Sequence, residues 1–167
     1  MFDRLEVSVV PPGPRWAAQL ALRIDGEEVV AAAIGDGGRG PLAEEALPAD
    51  GQGSLRATGE GRRVVLGERD CTGGCCGYLS VFVRRHGGIV EWSDWQVPVD
   101  EVCPPTFHFD ADRYDAELTR AHDVWLGIAD RMRGRPCPGG ATSDEEGFPL
   151  GVTAEAPIPG SGRRRLR

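Results

Sequence analysis

Between Gly77 and Gln96 the chain alternates apolar and polar side chains twice, and only His86-Gly87-Gly88 separates the two runs. Leu79, Val81 and Val83 recur at every second position before the break, and Val90 and Trp92 after it, which is the period of a half-buried strand. A two-residue turn taken from His86-Gly87 or Gly87-Gly88 closes the pair as a hairpin, because glycine accepts the positive φ angles that such turns need. Either turn sets odd positions of one strand against even positions of the other. Leu79, Val81 and Val83 are therefore expected on one face with Val90, Trp92 and Asp94. Tyr78, Phe82, Ile89 and Trp95 fall on the opposite face, among Ser80, Arg84, Glu91 and Ser93.

Earlier segments extend this β-rich reading. Arg4–Val10 alternates Leu5, Val7 and Val9 with Glu6 and Ser8 and stops at Pro11-Pro12-Gly13-Pro14, a strand followed by a stiff turn. Trp16–Ile24 and Glu27–Ile34 read as a second hairpin joined at Asp25-Gly26, and Arg62–Glu68 as a further strand. Residues 35–61 contain eight glycines and lose any period, so a long Gly-rich loop is expected, with one helical turn near Pro41–Leu47. Within it, Gly35-Asp36-Gly37-Gly38-Arg39-Gly40 fits G-x-G-x-x-G by letter. The dinucleotide fingerprint also needs a parallel strand before it and a long helix after it, and Pro41 and Pro48 leave no room for that helix.

A single long helix is expected after the last hairpin. Asp110 suits an N-cap, Phe109 and Tyr114 occupy the two positions of a hydrophobic staple, and Tyr114, Leu118, Ala121, Trp125, Ile128 and Met132 repeat at helical spacing. Gly134 and Pro136 end it. Residues 134–167, rich in Gly, Pro, Ser and acids, show no period, and their composition predicts a disordered tail. The expected fold is thus a single α+β domain over residues 1–133, a mostly antiparallel sheet of about six strands with one late amphipathic helix on one face.

Charge narrows the classes of partner. All 19 basic side chains are arginine, so Schiff-base and phosphate-cradle lysine chemistry is excluded. Net charge is −7, and residues 1–161 hold 15 arginines against 26 acids. Such a body repels nucleic-acid phosphates and favours a basic protein. Met1-Phe2-Asp3-Arg4-Leu5-Glu6 is charged at once, and no run reaches the ~18 apolar residues of a membrane span, so a cytoplasmic protein without a membrane partner is expected.

The segments CTGGCCGYLSVFVRR, VEWSDW and FHFDADRYDAEL, which fall within residues 71–118, resemble a group of small uncharacterised actinobacterial proteins. The resemblance implies a shared fold. It brings no activity, cofactor or partner with it.

Cys71, Cys75 and Cys76 place three of the five cysteines within six residues. With Cys103 or His108 completing a tetrahedron they would hold zinc or copper(I), although C-x3-C-C is not the usual C-x2-C knuckle. Used instead as redox or nucleophilic thiols, they would need a neighbouring cation, and the preceding Glu68-Arg69-Asp70 supplies one against two acids. As small apolar side chains beside a Gly73-Gly74 turn they would simply pack. Asp94, expected on the core face near the cysteine end of the sheet, either meets an arginine or joins the thiols.

Two classes of function follow. In the first, the chain is a non-catalytic interaction module, accessory or immunity-like, whose acidic surface meets a basic partner through Tyr78, Arg84, Asp94 and Trp95, with no cofactor. In the second, it is a small zinc, copper or thiol protein centred on Cys71, Cys75 and Cys76. No G-x-S-x-G elbow supports a serine hydrolase. The first class is preferred, because it requires no catalytic set.

Overall fold

In the computed structural model, residues 1–35, 37–69, 77–98 and 102–134 are described. They belong to one compact unit, Met1–Arg135; of the expected tail over residues 134–167, all but Gly134 lies outside the described residues.

Strand β1 (Leu5–Val10) pairs with β2 (Gln19–Ile24), and β2 with β3 (Glu27–Glu28), as a three-stranded antiparallel sheet. Asp25 and Gly26 both take positive φ, 52° and 89°, as a tight turn between twisted strands requires. The strand expected over Glu27–Ile34 stops at Glu28. From Val29 to Ile34 the chain is a helix, α1, because its buried positions 29, 30, 33 and 34 share one helical face and Ala31-Ala32-Ala33 favours helix. Gly35, at φ 81°, ends it.

A five-stranded antiparallel sheet follows, ordered β4 (Gly38–Arg39), β5 (Arg62–Arg69), β6 (Tyr78–His86), β7 (Ile89–Gln96) and β8 (Phe107–Asp110). A short helix, α2 (Ala43–Ala46), stands in the expected long loop. His86 faces Ile89 across Gly87-Gly88, and Gly87 takes φ 57°. β8 is an addition to the strands read from sequence. Phe109 pairs with Val90 there, and Asp3 N donates to His108 O at 2.8 Å, which ties the N-terminus to the outer edge of β8. The result is an α+β fold with two antiparallel sheets in place of one.

Helix α3 (Ala111–Arg133) begins as its sequence dictates. The Asp110 carboxylate accepts the Arg113 backbone N–H at 3.0 Å, and the Phe109 and Tyr114 rings lie 5.6 Å apart. Tyr114 and Ala121 are buried and Leu118 and Trp125 pack on the core, but Met132 is exposed. No helix among the described residues is long and apolar enough to cross a membrane.

Two side chains of α3 close the edge of β1. Glu117 accepts the Val7 backbone N–H at 2.6 Å, and Arg120 donates to the Val7 carbonyl while also binding Glu117. The pair does what a neighbouring strand would do, satisfying backbone groups that otherwise invite another chain. Burial works against the Glu117 charge, yet the bonds from Arg120 and Val7 outweigh it and hold its pKa below the ordinary value. Glu117→Ala should therefore lose about 1–3 kcal/mol at neutral pH, since it leaves the Val7 amide without its acceptor and Arg120 without its carboxylate. A depressed folded-state pKa gives stability that is fully present above the unfolded value near about 4.3 and is lost as pH falls from there through the lower folded value. The wild-type advantage, measured by urea unfolding, should shrink between about pH 5 and pH 3. A gap that is constant with pH would assign the loss to packing.

Candidate functional site

The predicted binding residues were placed on one sheet by a strict two-residue period, and the period breaks in β7. Ser93 faces Phe82 and Gln96 faces Ser80, so Asp94 and Trp95 together stand opposite Val81. This is a β-bulge, one residue extra on β7. Asp94 absorbs it at φ 48°, a conformation that Asp tolerates better than most residues.

The bulge reverses two expected placements. Asp94 was expected on the core face, but its side chain is 73% exposed and forms an ion pair with Arg63, which also donates to the Asp94 carbonyl at 2.8 Å. Trp95 was expected on the opposite face, but it turns into the core against Trp92 and Phe107, and its Nε1 donates to the Pro105 carbonyl at 2.8 Å. Trp95 is therefore a packing residue, whereas Asp94 belongs to the outer surface.

That outer face contains the other two predicted residues. Tyr78 is half exposed at the start of β6, near Val65, which is also half exposed on β5. Arg84 donates through Nε to the Gly59 carbonyl at 3.2 Å and pins the 59–61 turn over the sheet. Beneath that turn, a Cβ on Gly61 would stand 2.7 Å from the Phe82 ring, so Phe82 is half covered. Ser80 lies buried under Arg63 and Gln96 and donates to the Gln96 carboxamide oxygen at 3.2 Å. The face is a lattice of short polar contacts with Val65, Tyr78 and Ile89 exposed between them.

Glu91, Ser93 and His108 meet on the same face. The Ser93 hydroxyl donates to Glu91 at 2.8 Å, and the other Glu91 oxygen lies 3.5 Å from His108 Nε2. A nucleophilic serine needs the imidazole as its own partner, with the acid behind the imidazole. Here the carboxylate stands between them, which leaves Ser93 a donor to an acid. His108 is thus occupied on the outer surface, while Cys103 lies on the other side of β8 from it, beside Phe107, with its thiol 3.8 Å from the Trp95 carbonyl. The two do not converge as metal ligands. Among the described residues no group of three or more His, Cys, Asp or Glu side chains could hold a metal ion. Cys71, Cys75 and Cys76 lie outside the described residues, and with them the proposed proximity to Asp94.

A cleft of about 240 Å³ between α3 and the loop over residues 47–56 gathers Arg56, Asp115, Thr119 and His122. Each polar group there already has a local partner. Arg85 binds Asp115 at 2.6 Å, Thr119 donates to the Asp115 carbonyl at 2.8 Å, His122 Nε2 lies 3.0 Å from the Pro48 carbonyl, and Arg56 donates to the Gly51 carbonyl at 2.9 Å. Of these, the His122–Pro48 contact fastens the loop to the helix, while the others hold β6 to the helix or act within the helix and the loop. Sequence periodicity placed His122 on the helix but held no signal for the loop that meets it. Compared with protein-family models, curated proteins and solved structures, the chain has no match.

Proposed function

We infer that the chain is a non-catalytic interaction module, accessory or immunity-like, that acts in the cytoplasm by docking an acidic surface on a basic protein. One observation carries the reading: the acids are unevenly neutralised. Arg4–Glu6, Arg39–Glu68, Arg63–Asp94, Arg85–Asp115, Arg120–Glu117 and Arg133–Asp130 are matched as ion pairs, whereas among the described residues Asp3, Asp25, Glu27, Glu28, Glu44, Glu45, Asp50 and Glu60, which precede Arg62, and Asp110, Asp112 and Asp123, which follow it, have none. Eight of these eleven precede Arg62, so negative potential gathers over the N-terminal half. A field of one sign steers a partner of the other and fixes its orientation.

The expected result is salt-dependent association. A partner captured from the native host should carry net positive charge, and its association rate should fall severalfold between about 50 and about 300 mM salt, as the screening length shortens. An association rate indifferent to salt would remove the electrostatic reading. Stoichiometric zinc or copper in fresh protein, lost on changing Cys75 and Cys76 to serine, would replace it with the metal-centred one.

A further inference from the structure

The Asp25-Gly26 turn and the switch from β3 into α1 leave an apolar concavity beside them. Ile24, Val29 and Ala33 form its floor, and Pro104, Pro105 and Phe107, from the segment leading into β8, form the facing wall of a groove of about 420 Å³. The floor residues belong to the buried core and are fixed by packing. On the lip stands Val102, 86% exposed, an apolar side chain that the fold leaves in water. Asp25 and Glu27 complete the rim. The Asp25 carboxylate is held in place by the Arg4 backbone N–H at 2.9 Å, and Glu27, exposed opposite Ile24, has no ion-pair partner among the described residues.

We propose that this groove seats a large apolar side chain of the basic partner, with an arginine or lysine on either side of it meeting Asp25 and Glu27. The proposal rests on the acidic-module reading and gives that module its anchor point. An apolar pocket ringed by charge has the anatomy of an interface hot spot, in which one buried anchor supplies most of the affinity and the rim sets the partner's sign. The volume lies within the ~300–1,000 Å³ typical of ligand-sized pockets. Charge selects among occupants. A second copy would bring −7 against −7, and a fatty acid would bring its carboxylate against two others.

The test uses the full chain and three labelled peptides: Gly-Arg-Leu-Trp-Leu-Arg-Gly, its serine-centred analogue Gly-Arg-Ser-Ser-Ser-Arg-Gly, and the acid-flanked Gly-Glu-Leu-Trp-Leu-Glu-Gly. Anisotropy should show the first binding tighter than both others by about tenfold or more. It should also slow alkylation of the exposed groove thiol, Cys103, read by peptide mass mapping. Ala32→Trp, filling the groove from an exposed position on α1, should weaken binding by about tenfold, and Glu27→Arg should weaken it and flatten its salt dependence. Glu45→Arg on α2 should leave the groove contribution intact. If Ala32→Trp unfolds, Val102→Asp on the exposed lip replaces it. Equal affinity for the apolar and serine-centred peptides, or binding untouched by filling the groove, overturns the groove and leaves the acidic module standing. No binding by either arginine peptide at any salt overturns both.

Discussion

Replacing Trp92 with alanine should cost about 3–5 kcal/mol, a large share of the ~5–15 kcal/mol that holds a domain together. Trp92 is fully buried on β7, between β6 and β8 of the five-stranded sheet. Its ring stands edge-on to Trp95, Phe109 and Tyr114 at centroid distances of 6.1, 5.4 and 6.3 Å, each contact adding to simple burial. Its Nε1 donates to the Tyr114 hydroxyl at 3.3 Å, and that hydroxyl donates to the Leu55 carbonyl at 2.6 Å. Burial raises the Tyr114 pKa and keeps the donor protonated. Truncation therefore opens a cavity and removes one member of a buried network that ties β7, α3 and the loop at Leu55 together. Trp92→Phe, which keeps an aromatic ring, should lose roughly half as much. Urea midpoints for both variants decide the matter, and a loss below about 1 kcal/mol for the alanine variant would mean that the core re-forms without this ring.

Gly40→Ala should be nearly as damaging, at about 3 kcal/mol or more, although it adds a single methyl group. A Cβ at Gly40 would lie 1.9 Å from the Leu20 carbonyl oxygen, a backbone atom in β2 that has no side-chain freedom with which to yield. The close approach exists because the chain just after Gly40 is hydrogen-bonded to β2 and to the residue before it, Leu20 N to Pro41 O and Ala43 N to Ala18 O, both at 2.9 Å. Inserting the methyl must break that seam and release α2. Gly37→Ala, three residues earlier and with open space around its Cβ position, is the control and should stay within about 1 kcal/mol of wild type. Equal stability of the two variants would show that the loop can lift from β2 at little cost. The G-x-G-x-x-G spelling of this stretch thus contains a glycine needed for backbone packing.

The acidic reading and the aromatic core meet at the β7 bulge. One additional residue sends Asp94 out to Arg63 and turns Trp95 inward to Trp92 and Phe107. Had the regular period persisted, a carboxylate would have been buried among Val81, Val90 and Trp92, and a tryptophan exposed beside Tyr78. The desolvation cost of that carboxylate exceeds that of one left-handed aspartate, which is a physical reason for the chain to break register there.

Local signals settled what local physics can settle. The 78–96 hairpin, the Asp25-Gly26 turn, and the Asp110 cap with its Phe109–Tyr114 staple were legible because each needs only neighbouring residues and the φ preferences or capping groups they carry. The same holds for the excess of acid, which is a property of composition. Tertiary structure decided the rest. Val29–Ile34 reads from its sequence as the continuation of a strand, and it is a helix because β2 and β5 offer it a helical-shaped site. Phe107–Asp110 becomes a strand only because β7 and Asp3 present unpaired backbone groups on either side. The β7 bulge, the Glu117–Arg120 clasp on β1 and the groove beside α1 each join residues far apart in the chain, and a one-dimensional period carries no record of which distant backbone will need a partner.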